Sequence, residues 1–246
     1  MTGAARGLAA GLAAALPADG FERVAITYRT TLPDQTLAAI EKAGARAVAA
    51  RVDFLDANEA VTDALAQFVR EHGPFDTLVH AVGPLILKRF ERFTPEDYRE
   101  TFDGNVRSAV LATQAVIAGM RAQRFGRIVF FGMPGSNATQ PFRGFAFYQA
   151  AKSAVVAFAR CLALEEARHG ITVNVVVPGD IREKSLARDE ARECPARNPR
   201  GRAGSFQDVA DAVRFLIVPE RDFVTGAVLD VTGGLTQADE RNEPAP

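Results

Sequence analysis

Short runs of β-branched residues alternate along this chain with longer amphipathic segments. RVAITY (23–28), RIVFFG (127–132) and ITVNVVVPG (171–179) have the composition of buried strands. LPDQTLAAIEKAG, NEAVTDALAQFVREHG and FYQAAKSAVVAFARCLALEEARHG are typical of helices. Strands that alternate with helices form a parallel sheet with helices on both faces. The sequence therefore predicts an α/β fold, a single Rossmann-like doubly wound parallel sheet.

The domain is expected to span residues 1–235, because no linker or internal repeat interrupts the pattern. Residues 236–246 are polar and contain proline, so we expect a disordered tail there. The polar stretch 183–204 is predicted to be a mobile loop or lid. Residues 94–126 favour a long helix or a broken pair, with Thr94 as N-cap and Asp97 in a capping box.

Composition excludes several classes of partner and location. The formal net charge is −1, which gives no reason to expect nucleic acid or an anionic membrane, and no apolar run has transmembrane length. Cys161 and Cys194 follow no pattern, which favours a reducing cytoplasm over a disulfide framework and indicates no metal site. The alanine-rich start could be a signal peptide, but it contains Arg6 and lacks a basic n-region.

A glycine-rich turn stands at the very start of the chain, where Gly3 and Gly7 precede a helix-like run. Glycine lets backbone amides at a helix N-terminus approach a pyrophosphate closely, although a glycine-punctuated alanine helix is the alternative. Such a turn normally follows a central strand, and here only Met1 and Thr2 precede it. We therefore expect the first strand to be missing, and hypothesise that the sequence begins late and that translation starts upstream, at a GTG valine codon.

The strand after this turn ends in Arg29 rather than in a carboxylate. An acidic residue there would accept the ribose 2′-hydroxyl of NAD, whereas arginine suits the 2′-phosphate of NADP. Together with Arg6 in the turn, Arg29 favours NADPH/NADP+ over NAD. The alternative is that both are solvated surface arginines.

Tyr148 and Lys152 stand four residues apart in YQAAK on a predicted helix, so both project from one face. A nearby ammonium stabilises a phenolate, and we expect it to lower the pKa of Tyr148 and make the phenol a usable acid–base. A solvated helix face is the alternative, but the flanking FAFYQAAKSAVVAF is apolar.

These motifs, with others in order along nearly the whole chain, resemble the short-chain dehydrogenase/reductase family. TGAARGLA resembles its glycine motif, RVDF its adenine-binding site, LVHAVG its N-N-A-G, and VNVVVPGDI its nicotinamide-binding segment. The resemblance implies that the cofactor is bound by Gly3, Arg6, Gly7, Leu8, Arg29, Asp53, Phe54, His80, Ala81, Gly83, Tyr148, Lys152, Pro178, Gly179 and Ile181. Within the family, the resemblance is greatest to 3-oxoacyl-acyl-carrier-protein reductases.

The resemblance implies NADPH-dependent reduction of a ketone or 3-oxoacyl thioester, small or acyl-carrier-linked. Tyr148 would protonate the carbonyl oxygen, Lys152 would hold the nicotinamide ribose, and Asn105 would bind a water in a proton relay. A cytoplasmic homo-oligomer, a tetramer or dimer, is expected. A sugar or polyol dehydrogenase and a catalytically silent cofactor-binding protein stay open as alternatives. Arg124 and Arg168 stand where relatives contact a carrier protein, although ordinary surface charge explains them as well.

The chain also departs from the family pattern. Gly132 and Met133 occupy the stretch where a serine usually polarises the substrate carbonyl, so we expect Ser136 to take that role, with Asn137 or Thr139 as fallbacks. His80 replaces an asparagine and is expected to line the cofactor site or to bond the backbone. Ala9 replaces the third glycine, and Arg182 and Glu183 occupy the position of a usual threonine.

Overall fold

Parallel strands alternate with helices in the computed structural model, which describes residues 1–138, 140–181 and 187–235. The strands are β1 (Arg23–Tyr28), β2 (Arg46–Arg51), β3 (Thr77–His80), β4 (Gly126–Phe131), β5 (Ile171–Pro178) and β6 (Val228–Val231). The helices are α1 (Gly7–Ala15), α2 (Asp34–Lys42), α3 (Asn58–His72), α4 (Pro95–Phe102), α5 (Ser108–Gln123), α6 (Ala146–Glu166), α7 (Arg188–Arg192) and α8 (Phe206–Ile217). The predicted tail 236–246 lies outside the described residues.

The predicted helices cover both faces of the sheet, as expected. One core packs α3, α5 and α6 on one face, around residues such as Leu65, Val116 and Val155. The other packs α1, α2 and α8 on the opposite face, around residues such as Leu12 and Ile26. The α/β prediction is therefore confirmed, with all strand pairs parallel.

The predicted helical region 94–126 is a pair of helices joined by a π-helical turn, Asp103–Arg107. The capping box is confirmed: Thr94 Oγ1 accepts from the Asp97 amide at 3.2 Å, and the Asp97 carboxylate accepts from the Thr94 amide at 2.9 Å. In the polar stretch 183–204, the described part from residue 187 forms α7 and a bridge between Pro195 and Arg202.

The sheet consists of two separate parts, β1–β2 and β3–β4–β5–β6. Met1 and Thr2 lie between them: the Thr27 amide donates to the Met1 carbonyl at 3.0 Å, and the Thr2 amide donates to the Val79 carbonyl at 3.1 Å. These two residues occupy the carboxyl end of the central strand position. Below them, between β1 and β3, the sheet is interrupted by a cavity.

Within the described ranges, no helix is both long and apolar enough to span a bilayer. The same ranges hold no group of three side chains suited to binding a metal ion.

Candidate active site

A cleft runs along the carboxyl ends of the strands, where ligands bind in open α/β sheets. One end is formed by the glycine turn and the start of α1, and the other by Tyr148 and Lys152 of α6. Between them the wall includes Ala81, Gly83, Pro178, Gly179 and Ile181. The structure therefore brings the two ends of the predicted site into one continuous cleft.

A second cleft adjoins the first and shares Gly3, Arg6, Ala81 and Gly83 with it. Its remaining wall includes Tyr28, Arg29, Thr30, Asp53, Phe54 and Glu100. The cofactor-binding residues predicted on the first half of the sheet thus line this second cleft, apart from His80, Gly7 and Leu8.

The lysine of YQAAK is buried, with its side chain beneath the tyrosine ring. Lys152 is 5% exposed, and its Nζ lies 5.5 Å from the centroid of the Tyr148 ring. Nζ donates to the Phe131 carbonyl at 2.9 Å, which ties α6 to the end of β4. The pair thus shares one face of the helix, as the spacing predicts.

The expectation that Lys152 lowers the pKa of Tyr148 is wrong. Burial raises the pKa of Tyr148 to about 12 and lowers the pKa of Lys152 to about 8. Both groups are buried, so loss of hydration opposes charge on each of them. The phenol is therefore held in its protonated form at neutral pH.

Asn105 lies in the π-helical turn and is 1% exposed. Its amide nitrogen donates to the carbonyls of Thr101, at 2.9 Å, and Pro84, at 3.1 Å, while Oδ1 is buried without a hydrogen-bond partner. A Cβ at Gly83 would lie 2.6 Å from this Oδ1 and 2.9 Å from Lys152 Nζ. Both polar atoms therefore face the small space that the absent side chain leaves open.

His80 does not line either cleft, which corrects its expected role in cofactor binding. It is 3% exposed, and both ring nitrogens have partners: Thr2 Oγ1 at 2.9 Å from Nδ1, and Ser108 Oγ at 3.0 Å from Nε2. Thr2 Oγ1 accepts from the Ala81 amide, so the hydroxyl proton of Thr2 is free to be donated to His80 Nδ1. Ser108 Oγ donates its own proton to the Gly104 carbonyl at 2.6 Å, so it accepts from His80 Nε2.

These roles leave Nε2 as the protonated nitrogen of a neutral ring. Burial, and then the charge of Lys152, lower the pKa of His80 to about 3. The hydrogen bonds therefore form a directed chain from the glycine turn to the π-helical turn that holds Asn105. His80 bonds its neighbours rather than exchanging protons at neutral pH.

Ser136 also lies outside the cleft lining, contrary to expectation. It is 2% exposed, and its Oγ accepts from the Met133 amide at 3.2 Å. The segment after Met133 forms a turn, in which the Ser136 amide donates to the Met133 carbonyl at 2.9 Å, and this hydroxyl stabilises it. Of the fallbacks, Asn137 accepts from Arg160, and Thr139 lies outside the described residues. Arg182 and Glu183 lie outside them as well.

Sequence reasoning missed the apolar part of the cleft wall. Leu85, Met133, Pro134 and Phe145 belong to it. They come from loops that have no periodicity, so only the position of Met133, two residues after β4, could have indicated one of them.

Arg124 and Arg168 lie at the opposite edge of the sheet, just before the amino ends of β4 and β5. Arg124 ends α5 in a left-handed conformation, and its guanidinium donates to the Arg168 carbonyl at 3.2 Å. Neither residue lines the cleft of its own chain, which favours ordinary surface charge.

The residues present fit a nicotinamide dinucleotide. Gly3 has a φ of +66°, and a Cβ there would lie 3.0 Å from a Val82 methyl, so only glycine suits the turn. The unpartnered Asn105 Oδ1 and the buried Lys152 ammonium supply polar groups at the far end of the cleft. Fold and site together define a Rossmann-like, dinucleotide-dependent oxidoreductase.

Comparison with known proteins identifies the family. A family model described as Enoyl-(Acyl carrier protein) reductase matches residues 3–236. The chain therefore belongs to the short-chain dehydrogenase/reductase family and is an NAD(P)-dependent oxidoreductase.

Individual relatives support this assignment. The chain is 31% identical to the 3-oxoacyl-[acyl-carrier-protein] reductase FabG of Escherichia coli K12, in an alignment that covers 96% of this chain and 95% of that protein. It is also 31% identical to the 3-oxoacyl-[acyl-carrier-protein] reductase MabA of Mycobacterium avium, over 96% of this chain and 88% of that one. The solved structure of a dehydrogenase/reductase from Sinorhizobium meliloti 1021 superposes with a TM-score of 0.80 at 33% identity, covering 95% and 92% of the two chains.

Proposed function

We propose that this protein reduces the ketone of a 3-oxoacyl thioester, or of a related carbonyl compound, to the secondary alcohol with NADPH. The observation that carries the proposal is the cleft that joins the glycine turn to Tyr148 and Lys152. A dinucleotide whose pyrophosphate binds at the turn would bring its hydride donor to the proton donor Tyr148, and carbonyl reduction needs both groups at one carbonyl.

NADPH is the proposed cofactor because Arg29 stands where NAD-specific sites have a carboxylate, and Arg6 of the glycine turn lines the same cleft. Asp53 and Phe54 would meet the adenine, and Pro178, Gly179 and Ile181 the nicotinamide. When bound, the cofactor supplies the hydride that is added to the carbonyl carbon.

Tyr148 donates its proton to the carbonyl oxygen, which completes the alcohol. The phenol is protonated at neutral pH, as a proton donor for the reductive direction must be. Lys152 stabilises the phenolate that forms and holds the nicotinamide ribose. Asn105 Oδ1, buried and unpartnered, accepts from a water that returns a proton towards Lys152 and Tyr148.

The apolar part of the cleft wall favours an acyl substrate over a sugar or polyol. Leu85, Met133, Pro134 and Phe145 present apolar surface, which would leave the hydroxyls of a polyol without partners. The named activities of the FabG and MabA relatives point in the same direction.

We also propose a cytoplasmic homo-oligomer that associates through the outer faces of α5 and α6. Leu164 of α6 is 84% exposed, and Cys161 on the same helix is an exposed free thiol, which suits a reducing compartment. A second copy on this face would cover Leu164. Light scattering coupled to gel filtration measures the oligomer directly, and a monomer at micromolar concentration contradicts this assignment.

The experiment that tests the proposed reaction follows NADPH oxidation at 340 nm with acetoacetyl-CoA, beside a polyol with NADP+. Turnover of acetoacetyl-CoA alone supports the proposal, and turnover of the polyol alone contradicts it.

The alternative of a catalytically silent cofactor-binding protein is favoured by one observation, the absence of Ser136 from the cleft wall. Tight NADPH binding without turnover of any carbonyl would establish that alternative.

A further inference from the structure

The hydroxyl of Ser108 makes a hydrogen bond that the amide of the same residue does not make. In an α-helix each amide donates to the carbonyl four residues before it, but the Ser108 amide donates to Asp103, five residues before. The carbonyl of Gly104, four residues before, accepts from the Ser108 hydroxyl instead, at 2.6 Å. A side chain thus replaces a backbone donor at the residue immediately before Asn105.

Gly104 and Asn105 are held against the segment that follows β3. A Cβ at Gly104 would lie 2.5 Å from the ring of Pro84, so glycine is needed for this close approach. Asn105 Nδ2 donates to the carbonyls of Pro84, at 3.1 Å, and Thr101, at 2.9 Å. Because both amide protons are engaged, a shift of the backbone at Gly104 would move Oδ1 relative to the gap beside Gly83.

His80 restricts the Ser108 hydroxyl to a single acceptor. Nε2 of His80 donates to Ser108 Oγ at 3.0 Å, so the proton of the serine is left for the Gly104 carbonyl. The imidazole itself is fixed, because the rings of Phe54 and Phe130 contact it edge to face, with centroids 5.8 Å and 6.1 Å away. Both His80 and Ser108 are buried, so water does not compete for these hydrogen bonds.

We propose that Ser108 and His80 are positioning residues, which hold Asn105 Oδ1 towards the gap beside Gly83. The inference rests on the proposed function, in which Asn105 binds the water of a proton relay. Neither Ser108 nor His80 lines either cleft, so both act through the backbone of the π-helical turn. Loss of the Ser108 hydroxyl should therefore impair turnover without impairing the binding of cofactor.

The test compares two variants that lose equivalent hydroxyls from α5. Ser108→Ala removes the bond to Gly104, and Thr113→Val removes the bond from Thr113 Oγ1 to the Ala109 carbonyl, at 2.7 Å, in the regular part of the helix. Both side chains are buried, so each variant should lower the melting temperature by a few degrees. Ser108→Ala alone should lower kcat with acetoacetyl-CoA about tenfold, while the Kd for NADPH stays within about twofold.

A double-mutant cycle shows whether Ser108 acts through Asn105. In an Asn105→Ala background, Ser108→Ala should change kcat by less than about twofold, because the group that Ser108 positions is already absent. A general loss of structure would instead multiply the two effects. The proposal is overturned if Ser108→Ala keeps the kcat of Thr113→Val. It is also overturned if the loss of about tenfold persists in the Asn105→Ala background.

Hydrogen exchange tests the same contact without turnover. The amides of residues 104–107 should exchange about tenfold faster in Ser108→Ala than in Thr113→Val, because loss of the hydroxyl loosens the turn locally. Equal exchange in the two variants overturns the proposal. A protein that shows this difference but turns over no carbonyl would contradict the proposed function, and would still support the role of Ser108 in holding the turn.

Discussion

Lys152 reaches from α6 to β4, where its ammonium donates to the carbonyl oxygen of Phe131 at 2.9 Å. This bond holds the cation beneath the ring of Tyr148 and next to the gap beside Gly83. Asn105 Oδ1 faces the same space beside Gly83 as the Lys152 ammonium. The two groups can act together in the proposed reaction only if that space stays open.

Gly83→Ala should therefore impair turnover strongly. The added methyl would lie 2.6 Å from Asn105 Oδ1 and 2.9 Å from Lys152 Nζ, so at least one of them must move. A displacement of about 1 Å in such a site commonly costs about a hundredfold in rate, and we expect a loss of that size in kcat. Gly119→Ala in α5 is the matched control, because its methyl would meet Pro74 at an ordinary 3.5 Å. Equal activity of the two variants would contradict the assigned geometry.

Ser136→Ala should change kcat by less than about threefold. The Ser136 hydroxyl accepts from the Met133 amide and does not line the cleft, so its loss affects the local turn. Conversely, Met133→Ser places a hydroxyl in the cleft wall and should raise kcat by about tenfold or more, since a carbonyl donor contributes about that much or more. A hundredfold loss in Ser136→Ala would show instead that Ser136 polarises the carbonyl. Steady-state kinetics with acetoacetyl-CoA checks both.

His80 should destabilise the protein in acid. Burial lowers its pKa from 6.5 to about 3 in the folded chain, so between these values the unfolded chain binds a proton that the folded chain does not. The free energy of unfolding therefore falls by about 1.4 kcal/mol for each pH unit between pH 6.5 and about 3 on account of this residue, and does not change above pH 6.5.

His80→Asn, which keeps a donor and an acceptor for Ser108 and Thr2, should remove this part of the acid sensitivity. Urea unfolding at pH 7 and pH 5 measures it, with the partly exposed His72→Gln as control. A pH dependence unchanged in His80→Asn would show that His80 takes up its proton in the folded state.

Arg29→Asp should shift cofactor preference towards NADH. Arg29 lines the second cleft, and a carboxylate there would accept a ribose hydroxyl and repel a 2′-phosphate. We expect the ratio of kcat/KM for NADPH to that for NADH to fall at least about tenfold. Arg46→Asp, exposed at the amino end of β2, should leave the ratio unchanged. An unchanged ratio in Arg29→Asp would leave the proposed NADPH preference without its main support.

Features that lie within one element could be predicted from the sequence. Tyr148 and Lys152 share a helix, so their spacing alone places them together, and the capping box of Thr94 and Asp97 is equally local. The α/β architecture could also be predicted, because each strand and each helix has its own local pattern and the two types alternate along the chain.

Features that depend on several distant segments could not be predicted. The partners of His80 come from the first residues of the chain and from α5, and no sequence pattern relates Thr2 to Ser108. The raised pKa of Tyr148 follows from burial, which spacing does not report. Ser136 lies in a turn whose conformation depends on its own hydrogen bonds rather than on any periodicity.

Tyr148→Phe tests the central assignment most directly, because it removes only the proposed proton donor. NADPH oxidation with acetoacetyl-CoA should fall at least about a hundredfold, while NADPH affinity, measured by the quenching or enhancement of its fluorescence, should stay within about twofold. Turnover close to that of the unaltered protein would contradict the account, since the proton would then come from another group.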